Sequence, residues 1–124
     1  MRYFLGIDLG TSSVKSLLMD ENGVVAGIAQ REYDIQKKQQ SWAEQDMTLL
    51  WKATAETLRE LMGKHASLNK NQIAGIGYSG QMHGLVMLDR SGAPVRNAII
   101  WADQRSQDAI AQIAQRVRSG RAHV

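Results

Sequence analysis

The sequence contains no cysteine, a single proline and few aromatic residues, 6% of its 124 positions. Without cysteine there is no disulfide framework, no thiolate metal site and no thiol nucleophile. No apolar run approaches the ~20 residues that a membrane helix needs. The opening Met-Arg-Tyr leads straight into a strand pattern with no signal-peptide core. The expectation is a cytoplasmic protein with no membrane partner. The formal net charge is +3, and a nucleic-acid partner would need that charge gathered in a stripe with stacking aromatics between. Lys37 and Lys38 lie instead in one polar segment, and Arg116, Arg118 and Arg121 near the end, with no aromatic among them. No nucleic-acid partner is expected. No histidine or acid cluster has metal-site spacing, and His65 and His123 read as surface residues.

What is present suffices for one core. At 44% hydrophobic content and 124 residues the chain is the size of one ordinary domain. Residues 3–8 and 14–20 read as short buried strands, Asn22-Gly23 as a hairpin turn, and 24–33 as a third strand, which together make an antiparallel meander. Residues 34–45 are polar and read as irregular, with Trp42 their one large apolar group. Asp46 is placed to cap a helix over 47–64, in which Met47, Leu50, Trp51, Thr54, Leu58, Leu61 and Met62 recur at helical spacing. Further strands are expected at 73–78, 85–89 and 95–101. Asp103 then caps a last helix with Ile110, Ile113, Ala114 and Val117 on one face, ending near Gly120. A meander, a crossover helix and further strands make an α/β layer.

The loop between the first two strands holds the chemistry. Asp8 ends an apolar run and Gly10-Thr11-Ser12-Ser13 follows, so Gly10 and its neighbours can present backbone N–H groups to an anion, with the hydroxyls as added donors. A carboxylate beside a bare phosphate would repel it. With Mg2+ between them the pairing makes sense, because that ion takes one or two carboxylates, phosphate oxygens and retained waters. Lys15, on the second strand, either reaches the phosphate or faces solvent. The same residues also suit a plain hairpin turn, and the loop alone leaves both readings open. A Walker loop is absent, since Lys15 follows Val14 and lies in a strand. "GIGYSG" fits G-x-G-x-x-G but leads into a loop and not a helix, which excludes a dinucleotide fingerprint.

Four motifs in order, "GIDLGTSSVKSLLMDENG", "W-x-E-Q-D", "GIGYSGQMHG" and "IIWADQR", together resemble the amino-terminal part of the FGGY carbohydrate kinases, and the "SGQMHG" form looks like the xylulokinase branch. The resemblance implies an actin-like, ribonuclease-H-like fold in which two domains close over ATP and sugar. It implies that Asp8 serves Mg-ATP, that Gly10, Thr11, Ser12 and Lys15 face the phosphates, and that Met82 and His83 touch the sugar. Trp101 would wall the sugar's carbon face, and Asp103 is placed beside the sugar or at a helix cap. D-xylulose is the substrate so implied, with another pentulose or polyol as the alternative. Glycerol members of the family carry Arg-Glu where this chain has Met82-His83. An actin-like or chaperone-like nucleotide module is the reading from a different class. The expectation is an incomplete first domain over 1–124, with the second domain and the base that deprotonates the sugar absent. "RSGRAHV" does not match the family's continuation, and the apolar sheet surface left uncovered implies either self-association, as a homodimer, or marginal stability.

Overall fold

Along the first strand, Leu5, Ile7 and Leu9 alternate with Phe4, Gly6 and Asp8, which sends an apolar set to one sheet face and a small and acidic set to the other. The computed structural model, which describes residues 1–120, contains this strand as β1 (Tyr3–Leu9), followed by β2 (Ser13–Asp20) and β3 (Val25–Glu32) in an antiparallel meander. Asp20 closes the second turn by accepting from the amides of Asn22 and Val24, both at 2.9 Å, while Gly23 takes a φ of 84°. Helix α1 (Met47–Lys64) crosses over to β5 (Ile73–Gly80), which pairs parallel to β1, so the sheet order is β3-β2-β1-β5. Asp46 caps α1 as its sequence position predicts, accepting from the Thr48 amide at 2.8 Å.

Helix α1 lies over β2 and β3. Leu61 packs with Leu5, Leu18 and Ala29 to form the core. At the same interface the hydroxyls of Ser16 and Thr57, both fully buried, meet at 2.7 Å. Farther out, Arg31 of β3 pairs with Glu56 and Glu60 of α1. The predicted helical stripe therefore divides. Its Leu61 end is core, whereas Trp51, 74% exposed, lines an open groove with Met47, Leu50, Ile7 and Tyr78.

Three expectations are corrected. Residues 85–89 and 95–101 form no continuous strands: only β6 (Ala98–Ile99) is regular, and it pairs with β4 (Glu44–Gln45) inside the segment read as irregular. A hydrophobic pattern does not reveal β4, because both of its residues are polar. Helix α2 (Gln107–Gly120) begins four positions after Asp103, so Asp103 is not its cap, and none of its residues is buried. His65 is half-buried and ends α1, close enough to β3 that a Cβ on Gly27 would meet its Nε2 at 2.9 Å. Arg121 and His123 lie outside the described residues.

Candidate functional site

The β1–β2 loop is held by its carbonyls. The Tyr33 hydroxyl donates to the Gly10 carbonyl, the Gln45 side-chain amide to Thr11 O at 2.5 Å, and the Tyr33 amide to Ser12 O at 3.0 Å. A trans peptide points its N–H opposite to its C=O. Anchoring the carbonyls of Gly10 and Thr11 in protein therefore turns the amides of Thr11 and Ser12 the other way, and neither donates to a protein acceptor among the described residues. Two such amides side by side are free to face an anion, the arrangement that the sequence leads one to expect. The Gly10 amide does not join them, because it closes the turn on Ser13 O at 2.9 Å. Gly10 is needed for space: a Cβ there would lie 3.0 Å from that same carbonyl oxygen. Of the hydroxyls, Thr11 and Ser13 are already engaged, with Trp101 and Gln81 in one case and Gln30 in the other.

Asp8 stands at the carboxyl end of β1, on the sheet face away from α1. It is opposite Lys15 on β2 and Ser79 on β5, and the Ser79 hydroxyl donates to its Oδ1 at 3.0 Å. These three side chains and the glycine pair Gly6–Gly77 border one open groove of about 370 Å3. Without side chains on the two glycines, a ligand can lie directly on the backbone of the two strands. Asp8 and Lys15 form no ion pair among the described residues, which leaves a carboxylate and an ammonium beside the loop amides.

The second half of the site is the loop after β5. The Gln81 amide extends the β1–β5 ladder by donating to Leu9 O at 3.2 Å, and farther along Leu85 and Ile99 exchange backbone hydrogen bonds. Between them His83 adopts a φ of 60°, a left-handed conformation that is uncommon outside glycine and recurs at ligand-binding sites. His83 borders a cavity of about 280 Å3 with Gln81, Leu9, Met47 and Ile100. Met82 is 73% exposed and is not among its walls. Trp101 reaches the β1–β2 loop, its indole N–H donating to Thr11 Oγ1 at 3.2 Å. The loop amides, Asp8 and the His83 loop thus all lie at the carboxyl ends of the adjacent strands β1 and β5, with the Asp8 groove on the face away from α1 and the His83 cavity walled by Met47 and Leu50 of α1.

The FGGY family of carbohydrate kinases, N-terminal domain, matches residues 3–123. The chain belongs to this family. A xylulose kinase of Bacillus subtilis is 42% identical over 86% of this chain and 21% of its own length. The crystal structure of a xylulose kinase from Brucella ovis superposes with a TM-score of 0.83 at 39% identity, covering 90% of this chain and 23% of that one. A gluconate kinase from Lactobacillus acidophilus gives the same TM-score, 0.83, at 30% identity, covering 93% and 23% of the two chains. The chain spans less than a quarter of the length of these relatives, as an incomplete domain of the actin-like fold of FGGY kinases.

Within this FGGY domain the "W-x-E-Q-D" and "WADQR" segments form one frame. Glu44, with a side chain 3% exposed, accepts from Arg96 at 2.9 Å and from Arg105 at 2.7 Å. The Arg105 guanidinium stacks 3.8 Å over the Trp42 ring. Asp103, expected beside the sugar, is turned inward: its carboxylate takes Arg105 through Nε and Nη2 and the Ala43 amide at 2.7 Å. Those donors, the Arg105 guanidinium first, hold its pKa down to about 2. Arg105, equally readable as a surface residue, is the centre of this frame. Gln45 is not singled out by the sequence pattern. It is fully buried and bonded to both loops, and its one sequence signal is its place in the "W-x-E-Q-D" segment.

Proposed function

We propose that the chain is the amino-terminal part of an ATP-dependent kinase that transfers the γ-phosphoryl group to a pentulose, D-xylulose. The observation that carries this reading is the loop of residues 10–13, whose anchored carbonyls leave the amides of Thr11 and Ser12 as unpartnered donors next to Asp8. Phosphate oxygens suit these amides, and the Lys15 ammonium adds charge complementarity. Asp8 fits Mg2+, since this ion accepts one carboxylate and otherwise keeps waters and phosphate oxygens. No group of three acids or histidines exists among the described residues, so a site built by protein ligands alone does not compete. When bound, the ion would neutralise phosphate charge. The chain's own residues bind and orient: His83 can give and take hydrogen bonds from a hydroxyl, and Trp101 supplies a flat apolar face. The second domain, with the base for the sugar hydroxyl, belongs to the length that this chain does not span.

The test is a coupled assay of the full-length protein carrying this segment, with D-xylulose, D-ribulose, gluconate and glycerol as acceptors. Turnover of D-xylulose at a kcat/KM at least ~10-fold above the others is expected, a difference of about 1.4 kcal/mol in transition-state binding. His83→Ala should reduce that preference. If it leaves D-xylulose turnover unchanged, the sugar-loop assignment is wrong.

A further inference from the structure

Buried side-chain amides are uncommon, and a buried glutamine must place both ends of its carboxamide. Gln45 is 0% exposed. Its Nε2 donates to Thr11 O at 2.5 Å and its Oε1 accepts from Gln81 Nε2 at 2.7 Å. The Thr11 hydroxyl donates back to Gln81 Oε1 at 3.5 Å, and Trp101 Nε1 donates to that hydroxyl at 3.2 Å. These bonds close a ring through Thr11, Gln81 and Gln45 in which each donor has one acceptor. Thr11 belongs to the phosphate loop and Gln81 borders the His83 cavity, so the ring spans the two loops. Gln45 itself comes from β4, immediately before the cap of α1, on the frame held by Glu44, Arg105 and Asp103.

We propose that Gln45 is a positioning residue that fixes the phosphate loop and the "SGQMHG" loop at one mutual distance, so that phosphoryl donor and acceptor hydroxyl are presented in register. The inference rests on the kinase reading above and adds a residue to it. Each loop keeps its own ligand contacts without Gln45; what is lost is their alignment, which is expressed in the transition state and not in either ground-state complex. Gln45→Glu is the sharpest variant, because it keeps the shape and the acceptor for Gln81 but sets a carboxylate oxygen against the Thr11 carbonyl. Gln81→Ala, at a partly exposed position, removes the same ring from the other side.

In the full-length protein, Gln45→Glu and Gln81→Ala should each lower kcat by at least ~10-fold with KM for sugar and ATP within ~3-fold, as loss of a transition-state contact requires. The double variant should lose no more than the worse single one, since both break one ring. A kcat within twofold of wild type, a loss confined to KM, or additive losses would each overturn the proposal. Should wild type phosphorylate none of the four acceptors, the kinase reading fails, and the ring is judged separately. Amide exchange by NMR on the 124-residue chain then reads the Gln45 side-chain NH2: slow exchange that Gln81→Ala accelerates supports the ring, and free exchange in wild type refutes it.

Discussion

Asp103 is nearly enclosed, with a side chain 3% exposed, and every donor it meets favours its ionised form. The Arg105 fork is the largest influence; burial opposes it, the amides of Ala43 and Arg105 reinforce it, and the pKa stands at about 2 against an ordinary 3.8. A carboxyl whose folded pKa is depressed stabilises the fold fully above its unfolded pKa and loses that contribution as pH falls through the folded value. Asp103→Asn should therefore lower the melting temperature at neutral pH. The gap between variant and wild type should narrow from about pH 4 downward and close only below about pH 2. Glu44 is shifted the same way, by Arg105 first, so Glu44→Gln should show an acid-dependent gap of the same sign. Thermal melts across this range check both, and a gap constant with pH would mean that the carboxylates do not hold the frame through their charge. The residue scale is also where sequence reading reached least far. The Asp8-Gly10 loop was legible because turn chemistry and acid sit together in the chain. Gln45 and Arg105 were not, because Gln45 meets Thr11 across 34 positions and Arg105 meets Glu44 across 61, and polar residues carry no hydrophobic period.

At the scale of elements, α1 and β2 are joined by a buried polar contact. Thr57 donates its hydroxyl proton to Thr54 O at 2.7 Å, so at the 2.7 Å contact with Ser16 its oxygen accepts and Ser16 donates. Ser16→Ala leaves Thr57 still bonded and should cost about 1 kcal/mol. Thr57→Val strands a fully buried Ser16 hydroxyl and should cost more, about 2 kcal/mol. The double variant should cost clearly less than the sum, because the second change removes the group that the first left unsatisfied. Urea unfolding measures all three, and additive costs would show that the hydroxyls do not depend on each other. The meander, α1 and β5 were legible for local reasons: Asn22-Gly23, the Asp46 cap and the runs of Ile, Leu and Val each act within a few residues. The tract 81–101 misled, because its apolar residues suggest two continuous strands, whereas 85–88 and 94–99 meet only through isolated bridges, Leu85 to Ile99 and Leu88 to Pro94. Leu85, Val86, Met87 and Leu88 stay between 48% and 57% exposed.

For the molecule as a whole, the same accounting explains α2. Its stripe of Ile110, Ile113 and Val117 is a sound amphipathic pattern, yet these side chains are 54%, 62% and 54% exposed. A pattern read from sequence states that a face must be covered, not that the cover lies within the chain. Strand β5 is in the same condition. It is the last strand of the sheet on its side, and Ile76 and Tyr78 are 56% and 77% exposed on the α1 side of the sheet, because the helix lies over β2 and β3 and does not reach across β5. The strand itself carries neither a charged residue nor a proline, so it lacks the usual protection of a sheet edge against pairing with another copy. With Trp51 and Met47 beside Tyr78, the isolated 124-residue chain should associate reversibly. Its sedimentation coefficient should rise with concentration over the micromolar range, and Ile76→Lys with Tyr78→Lys should suppress the rise while leaving helical circular dichroism intact. In the full-length protein the same substitutions should not solubilise anything and should instead lower the melting temperature, because the remaining chain would then be what covers this edge. A concentration-independent monomer with a cooperative melt in the 124-residue chain would show that the open edge is tolerated without a partner.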